Sequence, residues 1–265
     1  MLPDLKPRLD FALHLADESA QVILPFYQSS SLAVESKRDS SPVTEADRGA
    51  ELRIRELLAQ SFPDDAILGE EFGEKPGTSG FKWILDPVDG TKSFIHGVPL
   101  FGTLIGVEFE GRMVIGVCNF PALGERAWGA KGHGAWWSTP HGSPRPARVT
   151  TETSLARAVL SFTTVAGFAR IGRPDAFEAL TNKTSMTRGW GDCYGHYLVA
   201  TGRVDVMVDP LMNPWDAAAL VPIIEEAGGS FCDWNGESNI YSGSGISLNA
   251  GLREPILAIT RRPQA

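Results

Sequence analysis

Residues 83–94 read Trp-Ile-Leu-Asp-Pro-Val-Asp-Gly-Thr-Lys-Ser-Phe, and the rest of the chain is organised around them. An apolar run typical of a β-strand leads into Asp86 and Asp89, and Gly90 and Thr91 open the segment that follows. Because proline fixes φ and glycine permits a sharp turn, both carboxylates are expected at the end of one element. Carboxylate and carbonyl oxygens are the ligands that a hard cation such as Mg²⁺ prefers. The stretch therefore predicts a cation site, although Asp-Pro and Asp-Gly are also common in ordinary surface turns.

Two further segments bring acids close to apolar runs. Residues 64–71 end on Glu70 and Glu71, and Asp216 follows a Pro-Trp pair at the start of a helical pattern. Together with residues 83–94, these segments resemble the inositol monophosphatase superfamily of Mg²⁺-dependent phosphatases. The motifs that carry the resemblance run in order over most of the chain: Gly69-Glu70-Glu71, Asp86-Pro87-Val88-Asp89-Gly90-Thr91, Trp215-Asp216 and Glu225-Glu226-Ala227-Gly228-Gly229. Three unrelated acidic turns are the alternative, and the shared order and flanking residues argue against it.

The resemblance implies two or three Mg²⁺ ions in one site, which Mn²⁺ can replace. By that resemblance the ligands are four carboxylates and one carbonyl, those of Glu70, Asp86, Asp89, Asp216 and Val88, with Asp86 bridging two ions. Neighbouring ions that share carboxylates can activate a water and also neutralise the leaving oxygen of a phosphate ester. The implied reaction is direct hydrolysis of a phosphate monoester, without a covalent intermediate.

The resemblance also implies roles for groups beside the metal ligands. A water on the Glu70 side would be deprotonated with help from Thr91, which Asp47 would orient. Backbone N–H groups of Gly90 and Thr91, at a helix start, would bind phosphate oxygens. From the residues alone, Asp47 has a simpler interpretation, because Thr44 and Asp47 have the spacing of a helix capping box.

Helices and strands alternate in the pattern of apolar residues. The predicted helices cover residues 4–24, 44–58, 174–182, 192–202 and 215–228, and the predicted strands cover 101–109, 112–117, 158–164 and 204–208. Pro222 is expected to kink the helix in which it lies, and Glu110-Gly111 to form a hairpin turn. Alternation of this kind is typical of α/β or α+β layering, and the resemblance implies a sandwich of alternating α, β, α, β and α layers.

The turn-rich residues 138–147 are the best place to divide the chain. Residues 1–140 are then an N-terminal α+β half with most of the predicted metal ligands. Residues 141–265 are a C-terminal α/β half with Asp216 and the candidate substrate residues.

The composition excludes several classes of partner. The 265 residues include 24 Lys and Arg against 32 Asp and Glu, a formal net charge of −8, which argues against nucleic acid and anionic membrane surfaces. Residues 1–6 lack the order of a signal peptide, and no apolar run approaches the ~20 residues of a membrane span. Three widely spaced cysteines, Cys118, Cys193 and Cys232, are expected to be reduced thiols, so a cytoplasmic location is predicted.

Substrate choice depends on residues beyond the phosphate. Residues 188–196, Arg-Gly-Trp-Gly-Asp-Cys-Tyr-Gly-His, look more like the histidinol-phosphate phosphatases of the superfamily than like its inositol-specific branch. Asp192 and Asp209, with Trp190, are the candidate substrate-binding residues, because carboxylates suit the ammonium and imidazole of histidinol phosphate. A helix N-cap for Asp192 and a strand-end turn for Asp209 are the structural alternatives.

Three functions follow in order of preference. The first is a histidinol-phosphate phosphatase, and the second is an inositol or sugar phosphatase of broad specificity. The third is a regulatory module that binds phosphorylated metabolites without turnover. The expected partner is a small phosphate monoester, and the resemblance alone implies a homodimer.

Overall fold

Three helical layers alternate with two sheets in the computed structural model, which describes residues 3–30, 33–36 and 42–261. The helices of the described residues are α1 Lys6–Ile23, α2 Glu45–Ser61, α3 Thr91–Ile95, α4 Val165–Arg170, α5 Pro174–Lys183, α6 Asp192–Ala200, α7 Pro214–Ala218, α8 Leu220–Glu226 and α9 Arg253–Thr260. The strands are β1 Val34–Ser36, β2 Pro42–Thr44, β3 Ala66–Gly69, β4 Gly73–Lys75, β5 Phe81–Asp89, β6 Gly102–Phe109, β7 Arg112–Phe120, β8 Glu125–Ala130, β9 Gly134–Ser138, β10 Arg145–Pro146, β11 Val159–Phe162, β12 Met186–Arg188, β13 Val206–Asp209, β14 Gly229–Cys232 and β15 Gly245–Asn249.

The strands form one large and one smaller sheet, and β1 pairs with β2 separately. The large sheet has the order β10-β9-β8-β7-β6-β5-β3-β4, in which the β3–β5 pair is parallel. The smaller sheet has the order β12-β11-β13-β15-β14, with β11 parallel to both of its neighbours. The predicted division of the chain at residues 140 and 141 stays a prediction.

The three largest apolar cores of the described residues lie between the layers and confirm the predicted α-β-α-β-α sandwich. Helices α1 and α2 cover one face of the large sheet around the buried Trp83, which has an exposed fraction of 0%. Helices α6, α7 and α8 fill the space between the two sheets. Helices α4, α5 and α9 cover the far face of the smaller sheet around Phe168. Since each sheet buries both faces, its strands are apolar almost throughout.

A row of glycines lets α7 and α8 lie directly on the large sheet. Gly106, Gly116 and Gly129 are cross-strand neighbours on β6, β7 and β8. A Cβ at Gly106 would lie 2.7 Å from the Cβ of Ala218, and a Cβ at Gly116 would overlap the carbonyl of Ala219. The absence of side chains along this row therefore sets how closely the helix that begins with Pro-Trp-Asp approaches β5.

Most predicted elements are observed close to their predicted bounds. The hairpin turn is confirmed, with Glu110 and Gly111 at φ values of 47° and 79°, as a two-residue turn between twisted strands requires. The helix predicted over 215–228 is divided at Ala219, one turn before Pro222 and not at the proline itself. The reason is that proline cannot donate to the carbonyl four residues earlier, so the helix is interrupted before it.

None of the helices within residues 3–30, 33–36 and 42–261 combines the length and apolar character needed to span a bilayer.

Candidate active site

The end of β5 contains a β-bulge that brings two acids onto one face of the large sheet. Asp86 lies opposite Leu104 and Asp89 lies opposite Gly102, so Pro87 and Val88 together face the single residue Thr103. In a regular strand, residues three apart point to opposite faces. The extra residue of the bulge reverses that alternation after Asp86. Both carboxylates therefore point toward the layer of α6 and α7.

Asp216 completes a cluster with these two acids. One carboxylate oxygen each from Asp86, Asp89 and Asp216 lies within 4.8 Å of the others. Asp216 is in the first turn of α7, and its Oδ2 accepts the backbone N–H of Asn213 at 2.7 Å. This capping contact orients the Asp216 side chain at the helix start. Asp86 is oriented similarly, because its Oδ1 accepts the backbone N–H of Val88 at 3.0 Å.

The acids of the cluster raise one another's pKa values, and such a group fits a divalent cation. Burial, followed by the charges of Glu70, Asp89 and Asp216, raises the pKa of Asp86 well above its usual value. Burial and the charges of Asp192 and Asp216 do the same to the pKa of Asp89. Burial also raises the pKa of Asp216 to about 7. Closely spaced buried carboxylates with raised pKa values are a donor set that a hard divalent cation would stabilise in the ionised form.

Glu70 approaches the cluster from the neighbouring strand. It follows β3, and its backbone N–H donates to the carbonyl of Leu85 at 3.2 Å, which continues the parallel pairing with β5. Its negative charge raises the pKa values of Asp47, Asp86 and Asp216. Glu70 is therefore close enough to influence these acids electrostatically, and its role as a metal ligand stays a prediction.

Glu51 supports the segment that carries Glu70, and sequence analysis missed it. Its carboxylate, with an exposed fraction of 0%, accepts the backbone N–H groups of Glu71 at 2.8 Å and Phe72 at 3.2 Å. Arg55 Nε donates to the same carboxylate at 2.8 Å. Gly69 leaves the space for this contact, because a Cβ there would overlap the Glu51 carboxylate. The i, i+4 spacing of Glu51 and Arg55 was the available signal, but that spacing is ordinary on helix surfaces.

Asp47 makes the contacts that both interpretations of it require. Its Oδ2 accepts the backbone N–H of Thr44 at 2.8 Å and the Thr44 hydroxyl at 2.6 Å, which confirms the capping box at the start of α2. Its Oδ1 lies 3.4 Å from the hydroxyl of Thr91, and that hydroxyl also donates to the carbonyl of Val88 at 3.0 Å. The Asp47 carboxylate thus connects the α2 N-terminus to the segment after β5.

Gly90 takes the backbone conformation that the start of α3 requires. Its φ of 82° lies in the left-handed region that glycine tolerates, and Thr91 follows as the first residue of the helix. A Cβ at Gly90 would lie 3.0 Å from the carbonyl of Leu100 and 3.4 Å from Asp192 Oδ2. The backbone of Gly90 and the carboxylate of Asp192 are therefore neighbours.

A cavity of about 180 Å³ adjoins the cluster, and several polar side chains line it. It is lined by Asp89, Lys92, Thr163, Thr164, Arg170, Asp192, Cys193, Asp209, Leu211, Met212 and Asp216. The structure thus brings Asp192 and Asp209 together with two of the clustered acids. Trp190 is not among the lining residues, and its ring packs against the core between the sheets.

Thr163 links the two candidate substrate carboxylates. Its hydroxyl donates to Asp209 Oδ2 at 2.6 Å and accepts the backbone N–H of Asp192 at 2.9 Å. Burial raises the pKa of Asp209 to about 7 and that of Asp192 to about 6, although the Lys92 charge lowers the latter. Asp192 is not the N-cap of α6, because Gly191 occupies that position. The φ of Asp192 is 51°, which is uncommon for a residue with a side chain. Such a conformation at a cavity wall is typical of functional positions.

Lys92, Thr163 and Arg170 were also missed by sequence analysis. Lys92 follows the Gly-Thr pair directly, so its position after the first motif was a usable signal. Thr163 and Arg170 lie far from the motifs in sequence and reach the cavity through the pairing of β11 with β13.

Fold and site together define the class of the protein, a hydrolase of phosphoric monoesters. The inositol monophosphatase family model matches residues 4–263, and the chain belongs to that family.

Known relatives and solved structures match this protein over nearly the whole chain. The histidinol-phosphatase of Chlorobaculum parvum is 46% identical over 255 residues, which cover 96% of each chain. The histidinol-phosphatase of Mycobacterium tuberculosis is 37% identical and covers 94% of this chain and 96% of its own. The solved structure of an inositol monophosphatase from Zymomonas mobilis has a TM-score of 0.84 at 34% identity, covering 98% of this chain and 99% of that one.

Proposed function

We propose that this protein hydrolyses L-histidinol phosphate to L-histidinol and inorganic phosphate in the biosynthesis of histidine, with Mg²⁺ as its cofactor. The observation that supports this substrate is a cavity lined by two acids of the cluster, Asp89 and Asp216, and by two further acids, Asp192 and Asp209. The names of the Chlorobaculum parvum and Mycobacterium tuberculosis relatives support the same substrate.

Five groups would hold two or three Mg²⁺ ions, with Mn²⁺ as a substitute. They are the carboxylates of Glu70, Asp86, Asp89 and Asp216 and the backbone carbonyl of Val88. When bound, such ions neutralise charge on phosphoryl oxygens and lower the pKa of water. The clustered carboxylate oxygens and their raised pKa values support this assignment.

The chain's own groups would position the phosphate and the attacking water. A water on the Glu70 side would be deprotonated with help from the Thr91 hydroxyl, which lies between Val88 O and Asp47 Oδ1 and would be oriented by Asp47. The backbone N–H groups of Gly90 and Thr91 are at the start of α3, where helical N–H groups lack partners within the helix, and they donate to phosphate oxygens.

Asp192 and Asp209 would select a cationic leaving group. Their carboxylates face the cavity, and an ammonium or imidazolium group would stabilise both in the ionised form. Trp190, two residues before Asp192 in sequence, is the third proposed substrate residue and would act by holding the start of α6. The Ser161 hydroxyl donates to the Trp190 carbonyl at 2.7 Å. This bond ties the segment before α6 to β11, in agreement with that role.

An inositol or sugar phosphatase is the second candidate. Lys92 and Arg170 line the same cavity, so its walls also offer donors to the hydroxyl groups of a polyol. The two candidates differ in the charge of the group beyond the phosphate, which makes them separable in one assay.

Phosphate release from histidinol phosphate and from inositol 1-phosphate, each measured with Mg²⁺, tests the proposal. We expect kcat/KM for histidinol phosphate to be higher by about two orders of magnitude or more, since two charged contacts distinguish the substrates. Equal or reversed values would favour the second candidate. Absence of turnover of either ester would favour a binding module without catalysis.

We also propose that the protein is a homodimer and that it is located in the cytoplasm. The family resemblance supports a dimer, and the three free, buried cysteines support a reducing compartment. Light scattering coupled to size exclusion should give twice the 28.6 kDa mass of the chain. A monomer at micromolar concentration, or a secreted protein on cell fractionation, would contradict the respective proposal.

A further inference from the structure

Two buried hydroxyl groups support the β5 bulge from the side opposite the acids. Thr103 is the single β6 residue that faces both Pro87 and Val88, and its hydroxyl donates to the carbonyl of Pro87 at 2.9 Å. The hydroxyl of Ser19, on α1, lies 3.1 Å from the hydroxyl of Thr103. Both side chains have an exposed fraction of 0%.

The direction of these hydrogen bonds follows from the number of protons. The Pro87 carbonyl can only accept, so Thr103 uses its single hydroxyl proton there. Ser19 must then donate to the Thr103 oxygen. The result is a chain from α1 through β6 to the bulge, in which each bond polarises the next.

These two hydrogen bonds replace the ladder pairing that the bulge removes from β5. A bulge leaves one residue of the strand without its ladder hydrogen bond, and Pro87 has no backbone N–H to compensate. A buried carbonyl without a donor is costly, so the bulge would otherwise tend to move along the strand. A shift by one residue would exchange the two faces of the sheet for Val88 and Asp89.

The orientations of Val88 and Asp89 depend on the position of the bulge. Its side chain packs with Ile23 and Phe101 on the α1 and α2 side, while its carbonyl faces the Thr91 hydroxyl. Asp89 points the other way, toward α6, where the N–H of Cys193 donates to its Oδ2 at 2.5 Å. The Val88 carbonyl and the Asp89 carboxylate reach the site together only with the bulge at Pro87 and Val88.

We propose that Thr103 is a positioning residue of the metal site: its hydroxyl holds the bulge at Pro87 and thereby aims the Val88 carbonyl and the Asp89 carboxylate at a divalent cation. This inference rests on the proposed function, because it takes Val88 and Asp89 as ligands. Thr103 is not among the lining residues of the cavity, and its described side-chain hydrogen bonds join Pro87 and Ser19, so we infer that it acts through the backbone of β5.

Calorimetric titration of the metal-free protein with Mn²⁺ tests the inference without any substrate. In Thr103→Val, which has the same shape without the hydroxyl, we expect the Mn²⁺ dissociation constant to rise by about tenfold. Thr103→Ser keeps the donor and should restore the wild-type value to within about twofold. The KM of the phosphate ester should change much less than the Mg²⁺ concentration for half-activation.

Ser19→Ala is the matched control. It also removes a buried hydroxyl from the same chain, but it leaves the Thr103–Pro87 bond in place, so Mn²⁺ binding should be within about twofold of wild type. Melting temperatures in chelator report how much each variant loses in folding stability alone. If Thr103→Val does not fold, Thr103→Cys is measured instead, because a thiol is a weak donor of similar size.

Two results would overturn the inference. One is wild-type Mn²⁺ affinity in Thr103→Val, and the other is an equal loss in Thr103→Val and Ser19→Ala, which would show a role in general stability. Wild-type protein that binds Mn²⁺ but hydrolyses neither phosphate ester would instead contradict the proposed function and leave the positioning inference standing.

Discussion

Asp89 has one directional partner and several like charges around it. The backbone N–H of Cys193 donates to its Oδ2, whereas burial and the charges of Asp192 and Asp216 raise its pKa. A carboxylate in such surroundings is destabilised when ionised, unless a cation is present. We therefore expect the residue to contribute little to folding and, as a proposed ligand, much to the binding of a cation.

Asp89→Asn should abolish hydrolysis while preserving the fold. The amide keeps an oxygen for the Cys193 N–H but removes the charge, so we expect kcat to fall by at least about a hundredfold. The melting temperature in chelator should be equal to or above that of wild type, since a buried charge repulsion is lost. Phosphate release, Mn²⁺ calorimetry and circular dichroism measure the three quantities. Near-normal turnover would refute the metal assignment.

Asp192→Asn should affect cationic substrates selectively. Asparagine tolerates the positive φ of 51° at this position as well as aspartate does, so the backbone should not change. Loss of a charged contact should raise KM for histidinol phosphate by about tenfold and leave KM for inositol 1-phosphate nearly unchanged. Steady-state kinetics on both esters measures the difference. Equal increases for the two substrates would make Asp192 a structural residue.

At the scale of elements, the site depends on how closely α7 and α8 approach the large sheet. Asp216 is in α7, and it reaches Asp86 and Asp89 because the glycine row beneath the helices has no side chains. The break at Ala219 places its carbonyl against Gly116. The distance between the α7–α8 pair and the sheet is thus set by the lack of a side chain at one glycine in each of the three strands.

Gly116→Ala should weaken both folding and the metal site. The added Cβ would overlap the Ala219 carbonyl, and overpacking of this kind costs about 2 to 3 kcal/mol in the free energy of unfolding. Displacement of α7 should also raise the Mg²⁺ concentration for half-activation and lower kcat by on the order of tenfold to a hundredfold. Urea unfolding and phosphate release measure these effects.

Gly142→Ala is the control for Gly116→Ala. Its added Cβ would lie 3.4 Å from Thr139 Oγ1, an ordinary contact in a loop, so stability and activity should stay near wild type. An unchanged Mg²⁺ requirement in Gly116→Ala would mean that the position of α7 does not depend on the glycine row.

Elements predicted from local patterns agree with the structure, and the exceptions have non-local causes. Helices α1 and α2 and the hairpin at Glu110-Gly111 follow apolar periodicity and turn chemistry, which act over a few residues. The bulge in β5 could not be predicted, because it exists only relative to Leu104 and Gly102 on the facing strand.

At the scale of the whole molecule, a rise in pH should lower the stability of the metal-free protein, whereas bound Mg²⁺ should raise the stability. Burial raises the pKa of Asp209 to about 7 from an ordinary value of 3.8, and Asp216 behaves similarly. The native protein then binds more protons than the unfolded chain between these values. The stability of the metal-free protein should therefore fall as pH rises from about 4 to about 7.

Mg²⁺ should reverse this trend. Because it binds the ionised carboxylates, the increase in melting temperature that it causes should grow between about pH 5 and about pH 8. Thermal unfolding with Mg²⁺ or chelator across that range measures the increase. Asp209→Asn should flatten the pH dependence of the metal-free protein. An increase that is the same at every pH would contradict the raised pKa values.

The sequence by itself determined the candidate metal ligands, the order of the motifs, and most helices and strands, because these depend on neighbours a few positions apart. Only the tertiary structure decided that Asp86 and Asp89 share a face, that Asp216 meets them, and that Asp192 and Asp209 are joined through Thr163. These arrangements depend on which strand pairs with which, and on how closely a helix can approach a sheet. Contacts of that kind join residues far apart in the chain, so no local pattern could contain them.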